Sequence, residues 1–168
     1  MSLIVQKFGG TSVGSTDRIK NVAKRVAHYR REGHRIVVVV SAMSGETNRL
    51  LGLAKELSAS PDPRELDVIA ATGEQVTIGL LAIALKEMGI PAKSYTGGQV
   101  CVLTDSAFTK ARILEIDESA MRKDLEVLEG QWVAATAAAL AGSAETVGQW
   151  RLVVASIDAP FDRIKRLA

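Results

Sequence analysis

The stretch Leu3-Ile4-Val5-Gln6-Lys7-Phe8-Gly9-Gly10-Thr11-Ser12 decides how the rest of the chain is read. An apolar run reaches a lysine, then two glycines, then two hydroxyls, and a helical pattern opens soon after. That is a strand, a glycine turn and a helix in series. Such a turn suits phosphate. Glycines let backbone N–H groups approach an anion closely, the helix N-terminus adds a favourable dipole, and Lys7 adds a full positive charge. Because the lysine precedes the glycines, the spacing is not that of the Walker A loop, and no dinucleotide fingerprint follows. On spacing alone, a glycine-rich turn with an incidental lysine stays open as the alternative.

Working outward, Ser15-Thr16-Asp17 supplies helix-capping chemistry, and Ile19, Val22, Ala23, Val26 and Ala27 then fall on one helical face. Lys20, Lys24, Arg25, Arg30 and Arg31 lie on the opposite face, which reads as a solvated surface with His28 on it. Gly33 closes the helix. Arg35 to Ser41 is an unbroken β-branched run suited to a parallel strand buried on both faces. It leads into Ala42-Met43-Ser44-Gly45-Glu46-Thr47-Asn48, a second strand end followed by small and hydroxyl-bearing residues. In open parallel sheets ligands bind at that edge, so two such loops make one site plausible.

Leu50 to Leu57 predicts a short helix that Pro61 and Pro63 end. Glu65 to Glu87 reads as mostly helix, although Leu66 to Ala70 would suit a strand by composition. Gly73 inside it costs about 1 kcal/mol relative to alanine, which implies a packing or access reason. Glu74 beside it, in apolar surroundings, must reach solvent or find a cationic partner. Ala92 to Tyr95 is a third strand, ending in Thr96-Gly97-Gly98-Gln99. Val100 to Leu103, with the small, semi-buried Cys101 on it, and Ala111 to Ile116 form a hairpin-like pair. Glu118 to Leu128 reads as a charged helix, Val133 to Ala144 as a buried alanine-rich helix, Arg151 to Asp158 as a strand, and Phe161 to Leu167 as a closing amphipathic turn.

Composition narrows the class. The 168 residues, 47% hydrophobic and 24% charged, suit a globular domain with a real core. Lysine and arginine number 21 against 19 acidic residues, a net charge of +2, which gives no reason to expect nucleic acid or a membrane surface as partner. The lone Cys101 excludes an internal disulfide, and two histidines far from any cysteine pair argue against a zinc site. No apolar run suggests a secretory leader or a membrane span. A cytoplasmic protein is expected.

Several stretches together resemble the aspartokinases, in order and at that family's spacing: Lys7 to Gly14, Val40 to Asn48, Thr72-Gly73-Glu74-Gln75-Val76, and Ser94 to Gln99. Thr104-Asp105-Ser106 and Thr109 to Ile113 continue the match, which covers about residues 2 to 130. The resemblance implies the amino-acid-kinase fold, an α/β three-layer sandwich with a mostly parallel sheet. It implies phosphoryl transfer from MgATP to the side-chain carboxylate of L-aspartate, giving 4-phospho-L-aspartate for amino-acid biosynthesis, with no protein-bound metal site. By the same resemblance, Lys7 neutralises the transferring phosphoryl group and Ser41 lies near its acceptor. Gly9, Gly10 and Ser12 cradle phosphate oxygens, and Thr47 and Glu74 hold aspartate, with Glu74 facing its ammonium. Phosphoryl transfer is mainly positioning and charge stabilisation, so these are parts it requires.

The tail departs from that family. Gln131 to Leu140 follows the charged helix directly, where the family has a further central strand, then a Gly-Arg-Gly-Gly-Ser-Asp loop, a nucleotide lobe and ACT domains. The expectation is a shortened fold: an aspartate- and phosphate-binding lobe over residues 1–130, and an atypical helix–strand–helix tail over 131–168 packed on the same domain. A sheet lacking a central strand would leave edges and apolar faces uncovered, which predicts a homo-oligomer. An inactive binding or assembly module, or a fragment of a longer kinase, is the alternative to a working enzyme.

Overall fold

The computed structural model describes residues 2–117, 119, 122–123 and the backbone of 132–135. The chain opens with β1 (Leu3–Phe8), a single 3-10 turn (Gly10–Val13) and α1 (Thr16–Arg31), as the opening stretch predicts. Ser15 caps α1 by accepting a hydrogen bond from the Arg18 amide. The five apolar positions read from the sequence, Ile19, Val22, Ala23, Val26 and Ala27, are the buried ones. Gly33, at φ +87°, makes the left-handed turn into β2 (Arg35–Val40).

β2 lies parallel to β1, in register from Leu3 beside Arg35 to Phe8 beside Val40. Then come α2 (Glu46–Leu57) and α3 (Pro63–Glu87). α2 starts four residues earlier than the periodicity suggests. Gly45, at φ +82°, lets the chain turn sharply, so that the Glu46 amide reaches the Met43 carbonyl. α3 is continuous, and Leu66 to Ala70 is helix, not strand. Asp62 caps it through the Arg64 and Glu65 amides, with Pro63 at the first helical position, where a missing N–H does no harm.

α3 is, by length and composition, apolar enough to cross a membrane, contrary to the expectation that no such run exists. Its apolarity has a local use: Ala70, Gly73, Thr77, Ile78, Leu81, Ala82 and Leu85 are buried. Ile78, Leu81, Ala82 and Leu85 join α1 and the alternate β2 residues Ile36, Val38 and Val40 in one core. Leu81, Leu85, Val26 and Val38 lose essentially all solvent contact. Burying one such side chain stabilises by about 1.5–3 kcal/mol.

β3 (Ala92–Tyr95) follows, then an antiparallel hairpin of β4 (Val102–Thr104) and β5 (Ile113–Ile116). Cys101 departs from its reading as a semi-buried strand residue. It is exposed, in the turn before β4, at φ +47°.

The largest correction concerns the tail. Trp132–Ala135 is a strand, β6, not the start of a buried helix, and it lies parallel between β2 and β3. The sheet order is β1-β2-β6-β3. The central strand expected to be missing is therefore present. An alanine-rich segment carries little periodic signal, and pairing on both sides decides its state. The rest of the charged helix read over Glu118 to Leu128, the remainder of Val133 to Ala144, and the segments Arg151 to Asp158 and Phe161 to Leu167 lie outside the described residues. The fold is α/β, and among the described residues the four strands of the main sheet are all parallel. α1 and α3 cover one face, and Val37 on the other meets Tyr95 and Val100.

Candidate functional site

Because β1, β2 and β3 run parallel, the segments after them share one edge of the sheet. Two of these segments touch. A Cβ on Gly10 would stand 2.9 Å from the Ala42 carbonyl oxygen, and one on Gly14 would stand 3.1 Å from the Ser44 Cβ. The turn after β1 can therefore lie on the loop after β2 only because both positions are glycine. The Ser41 amide, bonded to the Phe8 carbonyl at 3.1 Å, extends the sheet pairing up to this junction. Arg18, from α1, donates to the Thr11 carbonyl and ties the turn to the helix that follows it.

α3 supplies the third wall. A Cβ on Gly73 would lie 3.0 Å from the Ala42 Cβ and 3.5 Å from Glu46 Cγ, which is the packing reason its sequence context implies. One residue on, Glu74 Oε1 accepts a hydrogen bond from the Ala42 amide at 3.2 Å. Glu74 thus finds a backbone N–H where the sequence suggested solvent or a cation. Its second oxygen, Oε2, is buried with no donor among the described residues. Burial pushes the Glu74 carboxyl above the ordinary glutamate range, and the Glu74 and Ala42 amides offset this only in part.

The sequence-predicted residues fall around this junction. Lys7, exposed at the end of β1, places Nζ 3.8 Å from where a Gly9 Cβ would be. Ser12 is exposed on the 3-10 turn, and its amide closes that turn on the Gly9 carbonyl at 2.9 Å. Ser41 is half-buried at the end of β2. Thr47 is the second residue of α2, next to Glu46, whose carboxylate makes a two-pronged pair with Arg49 at 2.9 and 2.7 Å. That pair holds the Glu46 carboxyl below its usual range. The third loop, after β3, closes on itself: the Gln99 side chain accepts from the Thr96 amide at 2.9 Å.

The family follows from a comparison with known proteins. The model of the amino acid kinase family matches residues 2–147. The chain belongs to the amino acid kinase family. Among curated relatives, the aspartate kinase of Stutzerimonas stutzeri is 64% identical over 126 residues, which is 75% of this chain and 31% of that protein. The chain spans about a third of the length of the curated relatives it matches. Among solved structures, an aspartate kinase from Synechocystis superposes with a TM-score of 0.68 at 43% identity, covering 79% of this chain and 21% of that one. Aspartokinase III of E. coli, solved with aspartate and ADP, gives a TM-score of 0.61 at 22% identity over 80% of this chain and 40% of that one, a likeness of fold.

The sequence pattern singled out the glycine turn and Glu74, but not Ala42, the residue on which these two meet. Ala42 acts through its backbone, and nothing in an alanine side chain announces that. The Glu46–Arg49 pair was open to reading from its i, i+3 spacing. Asp67, which holds the Thr109 amide, carries no motif at all.

Proposed function

We propose that this chain is the aspartate- and phosphate-binding part of an aspartate kinase, which transfers the γ-phosphoryl group of MgATP to the side-chain carboxylate of L-aspartate and gives 4-phospho-L-aspartate. The observation that carries the reading is the junction at Ala42, where the glycine turn beside Lys7 and the half-satisfied Glu74 converge. Gly9 and Gly10 present backbone N–H groups to phosphate oxygens, Ser12, whose own amide is used in closing the turn, offers its exposed hydroxyl, and Lys7 neutralises the moving phosphoryl charge. Thr47 and Ser41 border the place for the acceptor carboxylate. The buried Oε2 of Glu74, with no donor among the described residues, suits the ammonium of the amino acid. Magnesium bound with the nucleotide would supply charge neutralisation to the phosphates. A solved protein of the same fold was crystallised with aspartate and ADP, which supports the pairing of ligands.

The product feeds biosynthesis of aspartate-derived amino acids such as lysine and threonine, in the cytoplasm. The binding lobe takes in residues 1–130 and also β6, which lies inside its sheet. A homo-oligomer would cover Val68, Val76 and Ile83, apolar side chains exposed on α3. Light scattering that finds a monomer at micromolar concentration overturns that last point.

The decisive test of function is a hydroxamate-trapping assay on the purified chain with L-aspartate and MgATP, with Lys7→Ala as background. Lys7-dependent acyl phosphate establishes an active kinase. No turnover, with aspartate still raising the melting temperature, establishes a binding module. Neither signal overturns the proposal.

A further inference from the structure

Between Glu65 and Lys86, α3 carries two charged residues, Asp67 and Glu74, seven positions and about 10 Å of helix axis apart. Their situations match. Each gives one carboxylate oxygen to a backbone amide of a distant segment, and each has its other oxygen buried without a donor among the described residues. Glu74 holds the loop after β2. Asp67 Oδ2 accepts from the Thr109 amide at 2.8 Å, across 42 residues, and so holds the tip of the β4–β5 hairpin.

That tip is built to be held. Asp105 Oδ1 accepts from the Ala107 and Arg112 amides at 3.2 and 3.0 Å, and the Lys110 amide reaches the Ala107 carbonyl at 2.9 Å. Thr109 sits at φ +64°, a left-handed conformation unfavourable for a β-branched residue, and this conformation accompanies the bond from its amide to Asp67. At the other end, the Val102 amide bonds to the Gly97 carbonyl and the Asp117 amide to the Cys101 carbonyl, so the hairpin is rooted in the turn after β3.

The position of α3 says where this arm runs. Gly73 is level with Ala42, just past the end of β2, while Leu81 and Leu85 pack in the core beside Ile36 and Val38. The turns of α3 before Gly73 therefore stand beyond the carboxyl edge of the sheet, on the side where the glycine turn, Ala42 and Glu74 meet. A hairpin that starts at the end of β3 and is tied to Asp67 crosses that same side.

We infer that Asp67 is a positioning residue: by holding the Thr109 amide it moors the β4–β5 hairpin to α3 as the β3-side wall of the amino-acid site. The wall's service to aspartate rests on the function proposed above; the mooring itself does not. Asp67 touches no reacting atom. It acts through the hairpin, and through the helix it shares with Glu74.

The test compares the wild-type chain with Asp67→Ala and Asp67→Asn, reading amide hydrogen exchange without ligand and L-aspartate affinity by calorimetry. In Asp67→Ala, amides of residues 105–112 exchange about tenfold faster while those of β1, β2 and α1 keep their protection, and aspartate binds about tenfold more weakly, the loss of roughly one hydrogen bond. Asp67→Asn keeps an acceptor oxygen and restores both. Unchanged exchange at 105–112 in Asp67→Ala overturns the mooring. Faster exchange with unaltered aspartate affinity overturns the wall. A wild-type chain that does not bind aspartate overturns the functional reading instead, and the exchange comparison still decides the mooring.

Discussion

The Ala42 amide donates to Glu74 Oε1 at 3.2 Å, across 32 residues, and joins α3 to the loop that ends β2. A carboxylate serves here as acceptor for the main chain in a part-buried place, with its second oxygen left over. The arrangement is costly for folding and useful for a ligand that brings a donor.

The pH dependence of stability follows from that arrangement. Burial raises the folded-state pKa of Glu74 above its unfolded value. Stability contributed by the protonated form is present in full below the unfolded pKa, near 4.5, and is lost as pH rises through the raised folded value. Measured against Glu74→Gln by urea unfolding between pH 4 and 7.5, the wild type should lose ground as pH rises. Relative stability that climbs with pH would show that the amide bonds, not burial, govern Glu74. Asp67, whose carboxyl is also raised by burial, should act in the same direction in a comparison with Asp67→Asn.

The first four elements were legible because local signals agreed with the fold: a β-branched run, a capping serine, a 3.6-residue apolar stripe and a closing glycine all pointed one way. Gly73 and Glu74 were legible as anomalies, a glycine and a charge where an apolar helix needs neither. What stayed hidden was non-local. Trp132–Ala135 gives no local reason to be a strand, and becomes one by pairing with β2 and β3. Ala42 and Thr109 contribute backbone amides, which a residue name does not reveal. Asp67 looks like any polar residue on a helix until the hairpin folds over it.

The central place of β6 is open to a direct test. Ala134 pairs with Val38 on one side and Ser94 on the other. Proline there removes a ladder donor in a strand with neighbours on both edges, a place from which proline is essentially excluded. Ala134→Pro should give a chain with lost near-ultraviolet dichroism and a lowered melting transition, by about 2–4 °C for each kcal/mol lost in a domain of this size. A variant that melts like the wild type would place residues 132–135 outside the sheet.

Two glycines of α3 separate packing from helix propensity. In an open helix interior, replacing glycine by alanine stabilises by about 0.5–1 kcal/mol. Gly79 meets that condition, because a Cβ there finds nothing within 4 Å, so Gly79→Ala should raise stability by about that amount. Gly73 lies in the same helix, so the propensity gain is the same, but its Cβ would stand 3.0 Å from the Cβ of Ala42. Ala42 is buried, and its Cβ is fixed to the backbone, so it cannot rotate away; α3 and the loop must part. Overpacking of this kind costs about 1–3 kcal/mol, which cancels or exceeds the propensity gain. Gly73→Ala should therefore be less stable than Gly79→Ala by about 1–3 kcal/mol in urea unfolding. It should also weaken aspartate binding, since parting the two segments stretches the bond from the Ala42 amide to Glu74. Equal stabilisation by both substitutions would mean that the loop yields freely at Ala42, and that the junction is not the rigid point on which the site is built.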